Sequence, residues 1–156
     1  MTRMTSALEI FTDGACLGNP GPAAIGVVIK KQGQTIKEIS RSIGKATNNI
    51  AEYTALIYGL QEALILKAQA IDIYTDSELM CKQMVGQYKV KHDGIKPLFD
   101  QVQHLLTGFG QVKFHHVPRE KNREADKLAS TAVKKASRSG RPDVHDVGEE
   151  SPSSKG

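Results

Sequence analysis

Alternating apolar and polar positions along residues 7–13 (ALEIFTD) predict a first strand. The β-branched run 23–30 and residues 34–41 predict two more, joined by Lys31-Gln32-Gly33, a turn with the glycine that hairpins favour. From Asn48 to Lys67 the spacing switches: Ala51, Ala55, Leu56, Gly59, Leu60, Ala63 and Leu64 recur with helical period. Asn48 or Asn49 is the expected cap of that helix. A short strand over residues 70–75 follows, then helices over Ser77–Val85 and Ile95–Leu106. Residues 111–117 (QVKFHHV) predict a last strand, and Arg123–Lys135 a last helix with Leu128, Ala129, Ala132 and Val133 inward. The order βββ-α-β-α-α-β-α describes an α/β fold. Its sheet is mixed and five-stranded, three antiparallel strands followed by parallel ones, with helices on both faces.

Composition bounds this picture without changing it. With 156 residues, 39% hydrophobic and 24% charged, the chain suits one globular domain. Residues 1–137 are read as that domain. Residues 138–156 are polar and rich in Ser, Pro and Gly without periodicity, and are read as a disordered tail. The net charge of +4 leans toward polyanionic partners. That tail has more acids than bases, so the positive balance belongs to the domain. No apolar run approaches a membrane span and no signal-peptide core precedes the first strand, so a cytoplasmic setting is expected. The two cysteines, Cys16 and Cys81, are expected to be free thiols, and no Cys/His spacing suits zinc.

Chemistry first attracts attention at TDGACLGNPGPAAIG (residues 12–26), four glycines and two prolines behind Asp13. Lys-Ser or Lys-Thr does not follow, so this is no Walker loop. The glycines lead into a strand rather than a helix, so it is no dinucleotide loop either. Asp13 and Asp76 fall at expected carboxyl ends of strands, where functional groups of open sheets gather. Glu52 and Asp126 fall in the expected first turns of helices that cover the sheet, on stripes that must face it. Singly, these acids read as a turn opener, a helix cap and partners of helix dipoles. Together, four carboxylates converging on one sheet edge would repel one another unless a cation neutralised them. Hard oxygen donors suit Mg²⁺ or Mn²⁺, and two such ions can serve phosphoester hydrolysis.

Four blocks make the pattern specific: FTDGACLGNPGPAAIG, ATNNIAEYTALIYGL, IYTDSELM and REKNREADKLA, spread over residues 11–129. With them the chain resembles type 1 ribonuclease H, and the short bacterial and archaeal ribonuclease HI members in particular. The resemblance implies a ribonuclease H-like sheet and an endonuclease cutting the RNA strand of RNA–DNA hybrids, leaving 5′-phosphate and 3′-hydroxyl ends. It implies Asp13, Glu52, Asp76 and Asp126 as catalytic metal ligands for two Mg²⁺ or Mn²⁺ ions. It further implies substrate contacts from Cys16, Asn19, Asn48 and Asn49 in the hybrid's minor groove and from Thr47 on the DNA strand. A wide A-like minor groove displays the 2′-hydroxyls that separate RNA from DNA. No organic cofactor is expected, and a monomer is. A non-catalytic hybrid-binding module and another nuclease on the same scaffold stay open as alternatives.

The chain departs from the family in two places. Many members carry a loop histidine before the last acidic helix. Here Arg119, Glu120 and Lys121 separate Pro118 from Asn122, while His115 and His116 lie in the expected strand. Without a loop histidine, water and metal manage unaided, or Arg119 or Glu120 substitutes. The basic helical protrusion of larger members is reduced to residues 87–96 (QYKVKHDGIK), which predicts weak, salt-sensitive binding to the DNA backbone. Glu78 stands where many members carry glutamine.

Overall fold

The alternating runs pair as their pattern requires. The computed structural model describes residues 7–139. Within it, β1 (Leu8–Cys16), β2 (Gly21–Lys31) and β3 (Gln34–Ala46) form an antiparallel meander. α1 (Asn48–Ile65) crosses to β4 (Ala70–Thr75), which pairs parallel with β1. After α2 (Glu78–Met84) and α3 (Lys96–Leu106), β5 (Gln111–His116) pairs parallel with β4. A 3-10 turn (Arg119–Lys121) leads into α4 (Arg123–Ser139). The sheet order is β3-β2-β1-β4-β5, so β1 is central and carries both antiparallel and parallel partners. The expected architecture and element order are therefore observed.

One sheet face packs against α1, which in turn packs on α3. Ile10, Val27, Ile29 and Ile73 meet Leu56, Leu60 and Val102 there, all fully buried. The opposite face receives α4, which lies over β2, β1 and β3. Two glycines set how closely the helices approach. A Cβ on Gly14 would fall 2.6 Å from the backbone of Ala51 and Glu52, and one on Gly26 would fall 2.1 Å from the carbonyl oxygen of Ala125. The helix carrying Glu52 thus rests directly on β1, and the helix carrying Asp126 rests directly on β2. Gly26 pairs with Asp13 across the β1–β2 ladder, so both close contacts surround one carboxylate.

Several local expectations need correction. β1 does not stop at Asp13: Gly14, Ala15 and Cys16 continue it, paired with Ile25, Ala24 and Ala23. Cross-strand pairing and the close passage of α1 override the weak strand propensity of glycine. The hairpin turn shrinks to residues 17–20. β3 likewise runs on to Ala46, opposite Gly21. Asp13 still marks a boundary, because parallel pairing of β1 with β4 ends one residue earlier, at Thr12 and Thr75. The last helix runs through Arg138 and Ser139 rather than stopping near residue 135, because Ala125, Ala129, Val133 and Ala136 keep its inward stripe apolar. The expected tail therefore begins inside α4, and its remainder, residues 140–156, lies outside the described residues. No helix among the described residues is long and apolar enough to cross a membrane.

Candidate active site

Where β4 leaves the sheet, Asp76 follows Thr75 and the chain turns into α2. Ser77, not Asp76, caps that helix: its hydroxyl accepts from Met80 N–H at 3.2 Å. Asp76 is thereby left without a capping duty. α1 is capped not by Asn48 or Asn49 but by Thr47, whose Oγ1 accepts from Ile50 N–H at 3.2 Å. With the helix starting at Asn48, Glu52 sits in its second turn, beyond the helix-dipole position expected for it. It is instead held by the sheet, where its Oε1 accepts from Gly14 N–H at 3.2 Å. Asp126 does occupy the first turn of α4.

These elements deliver Asp13, Glu52 and Asp76 to one point, with one carboxylate oxygen from each lying within 4.8 Å of the others. Asp13 is only 4% exposed. Burial, then the Glu52 and Asp76 charges and a hydrogen bond with Asp126, push its pKa up to about 9. Burial and the Asp76 charge push Glu52 up to about 8, against the opposing pull of the Gly14 N–H. Asp126 completes the wall of the same cleft and stands outside the tight group of three. Its Oδ1 lies 3.3 Å from Nη2 of Arg119. Carboxyls held protonated near neutrality by burial and mutual repulsion are the situation a divalent cation relieves. The donor set is entirely hard oxygen, so the residues fit such an ion.

The cleft has a volume of about 620 Å³ and is also lined by Cys16, Asn48, His116 and Arg119. Of the five expected substrate contacts, Cys16 and Asn48 line it directly. Cys16 Sγ donates to Ala46 O at 3.1 Å, which ties the β1–β2 hairpin to the end of β3. Asn19 Oδ1 accepts from Asn48 N–H at 3.0 Å, so Asn19 reaches the site's rim by bonding to one of its residues. Thr47 and Asn49 flank Asn48 outside the lining. His116 faces the cleft, whereas His115 turns away: its ring stacks on Tyr74 at 4.6 Å and its Nε2 lies 2.8 Å from Asp72 Oδ1. Glu120 lines a separate small pocket, leaving Arg119 as the loop residue at the site. Glu78 pairs with Lys82 at 2.9 Å.

Sequence reasoning missed Lys134, a cation on the fourth turn of α4 that lines the cleft, although its i+8 spacing from Asp126 was visible. It also missed Asn122. That side chain, 1% exposed, donates from Nδ2 to Thr12 O at 2.9 Å, and no local pattern signals a partner 110 residues away.

A mixed sheet in this strand order, with Asp13, Glu52 and Asp76 meeting at the edge of the parallel pairing and Asp126 beside them, is an α/β arrangement of the ribonuclease H-like class. A family model described as reverse transcriptase-like matches residues 11–132. A bifunctional protein of Mycobacterium tuberculosis is 40% identical over 152 residues, covering 94% of this chain and 42% of that protein. This chain thus spans less than half the length of the mycobacterial relatives it matches. The crystal structure of RNase H1 from Halobacterium salinarum is 39% identical with a TM-score of 0.80, covering 83% of this chain and 99% of that one. LC11-RNase H1, solved in complex with an RNA/DNA hybrid, is 42% identical with a TM-score of 0.79, covering 83% and 98%. The chain belongs to the ribonuclease H family, in its type 1 branch.

Proposed function

We propose that the protein is an endoribonuclease that hydrolyses the RNA strand of RNA–DNA hybrids with Mg²⁺ or Mn²⁺. The observation that carries this reading is the meeting of Asp13, Glu52 and Asp76 within 4.8 Å at the bottom of an open cleft. The hybrid bound by LC11-RNase H1 supports the choice of substrate. Asp13, Glu52 and Asp76 would hold one ion, and Asp13 with Asp126 would contribute to a second. Bound there, divalent cations supply Lewis-acid charge to the phosphate and lower the pKa of an attacking water.

The remaining work falls to the chain. Asp13 and Glu52 are buried enough that their charge is screened little by solvent, which strengthens their hold on cations. Arg119, 77% exposed at its side chain and paired with Asp126, lines the cleft and would offer its guanidinium to a phosphate there. Lys134 adds positive charge on the same wall. Asn48 and the backbone around Cys16 present donors and acceptors to a minor groove, where the 2′-hydroxyl marks RNA. In the loop between α2 and α3, Lys89 and Lys91 are exposed, whereas Lys96 is paired with Asp93 at 3.5 Å. Few free cations there imply weak, salt-sensitive grip on the DNA strand.

The test is cleavage of an end-blocked, labelled RNA–DNA hybrid with either ion, beside duplex DNA and double-stranded RNA. Internal cuts in the RNA strand alone are expected, and Asp13→Asn should lower the rate by more than the ~100-fold upper range of outer-shell changes. Unchanged cleavage by that variant, or preference for duplex DNA, refutes the assignment.

A further inference from the structure

Asn122 occupies the position just before α4, and its backbone carbonyl accepts the first helical bond, from Asp126 N–H at 3.0 Å. Asparagine at such a position ordinarily folds its side chain back onto its own helix. Here the side chain does not. Nδ2 reaches across to Thr12 O at 2.9 Å, and Oδ1 is buried with no hydrogen-bond partner. Reversing the amide would set Oδ1 against a carbonyl oxygen, so the donor orientation is the one the contact permits. A buried acceptor left unpaired is costly, and such a group calls for an explanation.

The explanation lies in what the two bonds connect. Thr12 immediately precedes Asp13, and Asp126 is the residue bonded to Asn122 O. A single residue thus links the backbone beside one carboxylate to the backbone of another, from opposite ends of the chain. Close packing of Ala125 O against Gly26, the pairing partner of Asp13, prevents α4 from moving nearer the sheet. The Asn122 bond prevents it from moving away or sliding. We propose that Asn122 is a positioning residue of the metal site: it fixes the distance between Asp13 and Asp126, and so the affinity for the cation those two carboxylates share. This inference rests on reading the cleft as a divalent-metal nuclease site.

Asn122→Ser separates positioning from folding. Serine caps a helix as well as asparagine does, and is too short to reach Thr12 O. Asn122→Asp supplies a second variant, with the same shape but no amide donor. Mn²⁺ binding, followed by the electron paramagnetic resonance signal of the free ion, gives a readout independent of hydrolysis. Thermal unfolding without metal and hybrid cleavage complete the comparison. For Asn122→Ser we expect near wild-type thermal stability, a Mn²⁺ half-saturation raised about 10–100-fold, and a kcat lowered within the same range at fixed Mn²⁺. KM for the hybrid should stay unchanged, and higher Mn²⁺ should restore part of the rate. Half-saturation within about twofold of wild type in both folded variants overturns the proposal, the window being small against the 10–100-fold expected. So does loss of folding in both, which would make the contact merely structural. A wild-type protein that binds Mn²⁺ without cutting hybrid refutes the ribonuclease reading and leaves this comparison intact. A wild-type protein that binds no Mn²⁺ refutes the metal reading instead.

Discussion

Removing the charge of Asp13 should stabilise the metal-free protein while abolishing its chemistry. In the unfolded chain this carboxyl has its ordinary pKa of 3.8; in the fold it is pushed up to about 9, by burial first and by Glu52 and Asp76 next. Between those values the native state holds a proton that the unfolded chain has released. Stability is therefore fully present below the lower pKa and is lost as pH rises toward the higher one. Each pH unit within that window costs about 1.4 kcal/mol per proton so held. From about pH 5.5 to about pH 7.5 the loss from Asp13 amounts to about 2.7 kcal/mol. In a domain of this size that corresponds to roughly 5–10 °C in Tm. Asp13→Asn mimics the protonated carboxyl at every pH and should remove this component. Thermal unfolding by circular dichroism in chelator-treated buffer, for both proteins at both pH values, measures the difference directly. Adding Mg²⁺ at the higher pH should raise the wild-type Tm with release of protons, and leave the variant unmoved. Equal dependence of Tm on pH in the two proteins would refute the electrostatic account of the site.

Three further changes probe the scaffold that holds these acids. Gly26→Ala places a methyl group 2.1 Å from the Ala125 carbonyl oxygen, so α4 must lift; urea unfolding should show a loss of about 1–3 kcal/mol. Hydrolysis should fall with it, because Asp126 moves too. Tyr53→Phe removes a buried 2.6 Å bond to Gln83 Oε1 that joins α1 to α2. The stranded acceptor should cost about 1–3 kcal/mol by the same assay, with the Mn²⁺ midpoint unchanged. Arg119→Ala breaks an exposed ion pair and should shift stability by less than about 1 kcal/mol. Hybrid cleavage should nevertheless drop roughly 10–100-fold if Arg119 acts on the phosphate or on Asp126, and an unchanged rate would remove it from the site.

The parts of this molecule that could be read from its sequence are those governed by local period. Alternation along β1 and β4 and the helical spacing of α1 and α4 each reflect one face packed on a core, so element order and sheet type follow from them. The four acids were legible for a related reason: each interrupts an apolar stripe or falls where the alternating pattern of a strand stops, and a charge in such a place requires a compensating partner. What remained hidden depends on contacts between distant segments. Gly14 reads as a turn former until α1 is seen lying 2.6 Å from where its side chain would be; only then is it a strand residue that makes room for Glu52. Thr47 and Ser77 cap their helices instead of the neighbouring Asn48 and Asp76, a choice between adjacent capping residues that propensity alone does not make. Asn122 is the limiting case. Its sequence position satisfies every rule for a helix cap, and a cap is what the rule would assign. The partner that draws its side chain away is a backbone carbonyl, which every residue possesses and which therefore leaves no mark in the sequence. Catalytic side chains reveal themselves by type, whereas the residues that space them through the backbone become visible only when the strands and helices are brought together.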